Sequence, residues 1–414
     1  MSAQKPSLMI LIPTLAIMFL FVASEGMVVP ILAPTLAKPL SQAHDLMPGF
    51  SAAAHKITYG VFMGLYPVLL FIFAPILGSF ADSLGRKKVL MFCIFAGIFA
   101  TLSQGLGMVL SSLPLLFLGR IVISAASGVD GTAQATLLDR CSQENKSRYI
   151  GYTLMVYSIG FLAGPALAGV FISEDSAGNL SFAEPFYVMT AGFVIAAVWL
   201  MFALPGDSPA KPKKIDFFEG LRDMILVLKD KKFRRLTGIF VMGNLGGGCF
   251  AMTVPVYLLE SFNFSEKLLA WFMAFGSLVS GLSYLVITPM LVRRFDKLKL
   301  CNFCYLIVGL AALFAYFASA QWHMWLCNIA SMLAFCTAYS ASLDAYSEMV
   351  DEKRRAWILS VVLSIWGLAS GGGLVLSSAG ISINTRLTVL GAALLLIFGF
   401  FIAYFAGNRK SAEA

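Results

Sequence analysis

Long apolar runs, each near the twenty or so residues that cross a bilayer as a helix, alternate along this chain with short polar breaks. The runs predict spans at about 8–36, 57–81, 88–110, 114–138, 150–172 and 183–204, then at about 236–260, 268–292, 299–318, 322–345, 356–378 and 386–406. They are too long and uninterrupted for alternating barrel strands of about ten residues. The expected fold is therefore an all-α membrane protein with 12 transmembrane helices in two six-helix bundles. The bundles are expected at 1–204 and 236–414, joined by a polar cytoplasmic linker at 205–235.

Composition agrees with this pattern. The chain is 59% hydrophobic and 13% charged, against about 45–50% and about 25% in soluble proteins. The first run, Leu8 to Val22, has the apolar character of a signal peptide, but apolar sequence resumes after Glu25 as in a retained helix. With the N-terminus placed in the cytoplasm, the 30 basic residues fall in inner loops and tails, except Lys38, Lys56, Lys267, Arg386 and the intramembrane Arg120. That asymmetry predicts both termini inside. It also assigns the net charge of +8 to membrane orientation rather than to nucleic acid. Cys301 and Cys304 form a lone C-x-x-C without a second pair or a histidine cluster, so no metal site is expected.

The linker opens with a Pro-Gly-Asp-Ser-Pro turn. It continues into an amphipathic stretch, Asp216 to Lys229, with Phe217, Phe218, Leu221, Ile225 and Leu228 as its apolar positions. This stretch is expected on the inner membrane surface. The two halves echo each other: LLDRCSQENKSRYIGY before the fifth span matches LDAYSEMVDEKRRAWI before the eleventh, and glycine clusters follow both. MLVRRFDKLKL, after the eighth span, reads as a decayed copy of the break after the second.

That break, GSFADSLGRKKVL, packs Gly78, Asp82, Gly85, Arg86 and Lys87 between two apolar runs. Gly85 suits a tight reversal. Asp82 is placed to pair with the basic triplet or to meet the N-terminal end of a neighbouring helix. The order of residues resembles the loop between helices two and three of the major facilitator superfamily, with Phe80 and Ser83 departing from the usual pattern. The resemblance implies two halves related by an axis along the membrane normal, a substrate site at the midplane, and a charge relay in this loop that latches the outward-open state.

Ionisable groups within the spans come next. Glu25 has apolar sequence on both sides, and intramembrane carboxyls are functional candidates by default. It reads as a proton carrier or as the counter-charge of a cationic substrate; the structural alternative is a carboxyl tied to a neighbouring helix. Arg120 and Asp130 share the fourth span about 15 Å apart, too far to pair directly. Gly119 to Asp139 resembles the fourth helix of tetracycline/proton antiporters, where the arginine is tied to proton coupling, although Ser124 breaks the family pattern. Gly160, Gly164, Pro165 and Gly169 in the fifth span resemble the antiporter motif of the superfamily, with Ala168 replacing a glycine; small residues four apart also serve ordinary helix packing. Tyr66, Tyr157, Phe161, Asn244, Tyr257, Tyr284, Tyr339, Asp344 and Trp366 are the candidate cavity residues. Asp344, Glu348 and Asp351 are also placed to pair with Lys353, Arg354 and Arg355.

These features lead to the expectation of a secondary transporter, not an enzyme. It would exchange protons for a small amphipathic molecule or drug by alternating access, with Glu25, Arg120 and Asp130 at the coupling site. The alternative on the same fold is import or export of a metabolite such as a siderophore, organic acid, peptide or sugar. A membrane-embedded enzyme would have only His44, His55 and His323 for acid–base work. There is no G-x-x-x-x-G-K-[ST] loop for ATP, so the expected energy source is the proton gradient, with no cofactor. The expected setting is a bacterial inner membrane, with a monomer embedded in lipid.

Overall fold

A computed structural model describes residues 8–38, 45–139, 146–174, 180–204, 219–351 and 354–412. The helices in chain order are α1 (Leu8–Leu32), α2 (Ala52–Leu84), α3 (Arg86–Val109), α4 (Leu113–Ala126), α5 (Val129–Leu138), α6 (Lys146–Phe171) and α7 (Glu184–Ala203). After them come α8 (Glu219–Lys229), α9 (Arg234–Ser261), α10 (Glu266–Leu282), α11 (Thr288–Arg294), α12 (Lys297–Phe317), α13 (Gln321–Glu348), α14 (Arg355–Ile383) and α15 (Thr385–Ala412). Eleven helical segments among the described residues are long and apolar enough to cross a membrane, and the apolar part of α6, Met155–Phe171, occupies the remaining position. The protein is thus a multi-pass, all-helical membrane protein with the twelve spans expected from the hydrophobic pattern. Its extended pairing among the described residues is a two-residue antiparallel ladder, Ser173–Glu174 with Leu180–Ser181, between α6 and α7.

Three spans differ in kind from the uniform helices expected. The fourth is broken between α4 and α5, at Ser127 and Gly128. The hydroxyls of Ser124 and Ser127 bond back to the carbonyls of Arg120 and Ser124, at 2.6 and 2.7 Å. Such back-bonding competes with the helix ladder and bends it. The eighth contains a π-helical turn, Ser283–Ile287, between α10 and α11, and α1 also ends in a π turn, Ala33–Ala37. One π turn contains Pro34 and the other is followed by Pro289, and the missing N–H of a proline disturbs the regular ladder.

The chain divides into two compact units: Met1–Gly49, Val68–Phe217 and Ser265–Ala274 form unit 1, and Phe50–Pro67, Phe218–Phe264 and Phe275–Ala414 form unit 2. In unit 1, α1 packs on α6 and α7, and the rings of Phe21 and Phe193 meet edge-to-face at 5.1 Å. Phe92, Phe95 and Phe99 of α3 are exposed on one helix face, as lipid-facing side chains are. In unit 2, Phe233, Leu236, Phe240, Tyr346, Ile358 and Ile365 form one core and Ile239, Cys301, Cys304, Tyr305 and Leu396 another.

The linker helix exists as α8, and one face of it packs on unit 2. Met224 and Val227, three residues apart, enter the first core of unit 2, and Asp223 accepts a 2.8 Å hydrogen bond from the Trp357 indole. Ile225 and Leu228, two apolar positions of the amphipathic stretch, are exposed on the protein. Phe217 and Phe218 lie outside the described residues.

Candidate functional site

Unit 1 holds the charged centre. Arg120 of α4 is completely buried, and its two terminal nitrogens donate to the two oxygens of Glu25 on α1, at 2.5 and 2.9 Å. The Glu25 side chain retains 14% of its exposure. A bidentate Arg–carboxylate pair has strong directional bonds, and burial makes it costly to break from either side. Two intramembrane charges 95 positions apart in sequence are thereby one site.

The antiporter-like glycines position this pair. α6 lies directly on α1 where Glu25 emerges: a Cβ on Gly164 would sit 2.4 Å from the carbonyl oxygen of Ala23 and 2.8 Å from the nitrogen of Met27. Only glycine permits that approach. Pro165 lies against Gly26, the neighbour of Glu25, and Gly160 lies against Val22. Gly169, one turn further on, faces Ala270 of α10. The motif thus fixes α1 and its carboxyl against α6.

Asp130 is placed elsewhere, in the first turn of α5 beyond the break. It accepts a hydrogen bond from the Tyr157 hydroxyl of α6. Its other oxygen is buried and has no hydrogen-bond partner among the described residues. The neighbouring turn of α5 is tied to α6 by the amide of Gln134, which donates to Thr153 at 3.0 Å.

The loop motif lies at the end of α2. Gly85 has φ +101°, a conformation that side chains rarely adopt, and it ends α2 and starts α3 within one residue. Arg86 pairs at 2.7 Å with Asp139, the residue after α5, and Lys87 donates to the carbonyls of Met201, at 2.8 Å, and Leu204 at the end of α7. A cation at a helix C-terminus satisfies carbonyls that lack partners. Asp82 is exposed on the last turn of α2, and no partner for it occurs among the described residues. The expected pairing of Asp82 with the basic triplet is therefore replaced by Arg86 with Asp139. Gly78 has open space around it.

Unit 2 repeats this arrangement. Lys297, opening α12 after the decayed copy of the motif, bonds Glu348 at the end of α13 at 2.5 Å and lies 3.9 Å from Asp344. Asp344 is exposed there. Among the described residues Arg354 stacks on Trp357 instead of meeting these acids; Lys353 lies outside the described residues. Lys297 takes the acids because α12 and α13 run side by side.

The aromatic cavity candidates separate into two groups. Tyr257 is 2% exposed and packs edge-to-face on Phe262 at 5.4 Å, and Asn244 is fully buried, donating to Phe240 and to the Tyr305 hydroxyl. These two are interior positions of unit 2. Tyr66, Tyr157, Tyr339 and Trp366 are half-buried, and Phe161 and Tyr284 are exposed. Tyr339 meets Phe240 and Trp366 at 6.1 and 6.4 Å, forming an aromatic run in unit 2. No group of three His, Cys, Asp or Glu side chains suited to a metal occurs among the described residues.

Sequence reasoning missed the direct Glu25–Arg120 bond, the roles of Asp139 and Lys297, and Lys56. Lys56 on α2 pairs with Glu260 of α9 at 2.7 Å and donates to Thr385 of α15 at 3.1 Å, all within unit 2. Opposite signs on separate spans were the available signal for the first pair. Nothing local marked the others.

Comparison with known proteins places these features in a family. The sequence matches the Major Facilitator Superfamily over residues 14–374. It is 30% identical to the class G tetracycline resistance protein of Vibrio anguillarum over 182 residues, which are 42% of this chain and 41% of that protein. With the class C protein of Escherichia coli, identity is 23% over 90% of this chain and 91% of that protein. With the quinolone resistance protein NorA of Staphylococcus aureus it is 22% over 81% of each. The matched segment thus spans about two-fifths of the class G relative. Among solved structures, the fold is shared with the POT family transporter PepTSo (TM-score 0.75, 12% identity, 99% of both chains) and the human organic anion transporter MFSD10 (TM-score 0.68, 14% identity, 97% of this chain and 100% of that one). The match over most of the chain, the twelve spans and the loop between α2 and α3 agree, and the protein is a membrane-embedded transporter of small molecules belonging to the Major Facilitator Superfamily.

Proposed function

We propose that the protein exports a small amphipathic molecule or drug in exchange for protons. The observation that carries this reading is the buried Glu25–Arg120 pair, held by the antiporter-like glycines of α6. A pair of this kind costs several kcal/mol to break, so a cationic group that competes with Arg120 for Glu25, or a proton taken up in the same unit, changes the energy of the whole unit. A ligand shifts a conformational equilibrium only through such differential interaction. The intramembrane groups Glu25, Arg120 and Asp130 serve the exchange, with Arg120 setting the charge balance and one of the two carboxyls holding the proton. The halves 1–204 and 236–414, joined by the linker at 205–235, alternate in exposing the site. The loop from Gly78 to Lys87 acts as the latch, with Asp82 free to find a partner in one state and Arg86 tied to Asp139. Within unit 2, Tyr339 and Trp366 present an amphipathic surface to the substrate. The relatives named for tetracycline and quinolone resistance support drugs as the cargo, and their bacterial sources support an inner membrane; the distribution of basic residues supports both termini in the cytoplasm. No cofactor is required; the proton gradient supplies the energy.

The test is drug accumulation in a bacterium stripped of its own efflux pumps. Expression is expected to lower steady-state tetracycline or quinolone content, and a protonophore is expected to abolish the difference. Unchanged content for both drugs, or lowering that persists when the gradient is collapsed, contradicts proton-driven drug export.

A further inference from the structure

The break in the fourth span gives Asp130 an environment unlike that of Glu25. Ser127 and Gly128 interrupt the helix, so Asp130 occupies the first turn of α5, directly beyond the break. One carboxyl oxygen accepts from Tyr157, and the other is buried without a partner among the described residues. The titratable groups brought to it by the packed helices are the Tyr157 hydroxyl from α6 and the Cys93 thiol from α3; α1 contributes Glu25, whose oxygens are both taken by Arg120. No basic side chain pairs with Asp130 among the described residues.

The two carboxyls therefore differ in what a proton does to them. Protonating Glu25 removes a charge-assisted bond from Arg120 and leaves a guanidinium buried without a counter-ion. At Asp130 the bare oxygen can take a proton without breaking any bond. The hydroxyl of Tyr157 favours the charged form, while the membrane interior and the bare oxygen favour the neutral one. A site that loads and unloads a proton needs both forms within reach.

We propose that Asp130 and Tyr157 form a proton-holding site separate from the Glu25–Arg120 pair, and that Asp130 takes up and releases the coupled proton while Glu25 stays on Arg120. The step is a proton transfer alone: a proton from the aqueous phase bonds to the free carboxyl oxygen, Tyr157 keeps its own proton and its bond to the other oxygen, and release returns the proton to water. This assignment rests on the proton-exchange reading above.

The test is infrared difference spectroscopy between acid and alkaline pH on the full-length protein in lipid, combined with tetracycline and quinolone flux in proteoliposomes. A carboxylic acid C=O band is expected in the wild type, retained in Glu25→Gln and lost in Asp130→Asn. Tyr157→Phe is expected to keep the band but move it to higher wavenumber, because the carbonyl oxygen loses its donor. Asp130→Asn is expected to lower flux driven by a pH gradient about tenfold. A band that survives Asp130→Asn, or disappears in Glu25→Gln, overturns the proposal. So does gradient-driven flux at the wild-type rate in Asp130→Asn, which leaves proton exchange itself intact. If Asp130 titrates but the wild type ignores the gradient, proton exchange fails and the coupling role falls with it. Should Asp130→Asn not fold, Tyr157→Phe decides: an unmoved band overturns the assignment.

Discussion

Replacing Glu25 by Gln keeps the shape of the side chain and removes its charge. In the structure this leaves Arg120, completely buried, with a neutral amide in place of both carboxylate oxygens. Arginine cannot shed its proton to escape, so the cost is that of an uncompensated charge, about 3–5 kcal/mol for a fully buried pair. The 14% exposure left to Glu25 admits some solvent and favours the lower end, about 3 kcal/mol. Arg120→Met is expected to cost less, because the stranded Glu25 can neutralise itself by taking a proton from that solvent. The double substitution removes both charges and is expected to recover most of the loss, with a coupling energy of about 2–3 kcal/mol between the sites. Equilibrium unfolding in mixed micelles measures all four corners of the cycle. Single-variant losses that add to within about 0.5 kcal/mol, or Arg120→Met costing more than Glu25→Gln, refute the argument that the pair is buried and mutually dependent.

Other consequences follow from particular contacts. Gly164→Val is expected to destabilise unit 1 by about 1–3 kcal/mol or more through overpacking, since even its Cβ would lie 2.4 Å from the Ala23 carbonyl; thermal unfolding at or near the wild-type temperature contradicts this. Asp139→Asn removes an ion pair with one partner 60% exposed, so stability is expected to change by less than about 1 kcal/mol, whereas drug flux falls if the Arg86 tie serves the latch; unchanged flux removes it from the mechanism. Asp82→Asn is expected to slow turnover far more than it weakens drug binding, and parallel loss of both argues against a latch. Cysteines placed at 45–50 are expected to react with an impermeant thiol reagent from outside intact cells and those at 205–235 to be protected; the reverse pattern overturns the topology.

Much of the fold was legible because lipid leaves the backbone few options. Every spanning segment must satisfy its own hydrogen bonds, so long apolar runs become helices, and their number follows from the sequence. The interruptions were harder to read. The break at Ser127–Gly128 comes from serine hydroxyls competing for carbonyls, and serine occurs in many unbroken helices. At the site, Glu25, Arg120 and Asp130 stood out because charges in a span are costly, and Gly160 and Gly164 because of their spacing. Which charge meets which depends on how α1, α4 and α5 are packed, and spacing along one helix does not contain that. Arg86 with Asp139 and Lys297 with Glu348 show the same limit: each loop offered nearby acids, and the acid chosen lies at the end of an adjacent helix. On α8 the sequence marks apolar positions on more than one face, and only packing selects Met224 and Val227 for the core.

Proton-driven exchange is the central claim, and its most direct measurement is drug movement in proteoliposomes with an imposed pH gradient, with protein-free liposomes as the control for passive partition. With an acid lumen, outward proton flow is expected to drive tetracycline or a quinolone inward to a concentration above equilibrium, and an ionophore that collapses the gradient is expected to release it. Accumulation with an alkaline lumen instead, or the same uptake with and without a gradient, contradicts antiport.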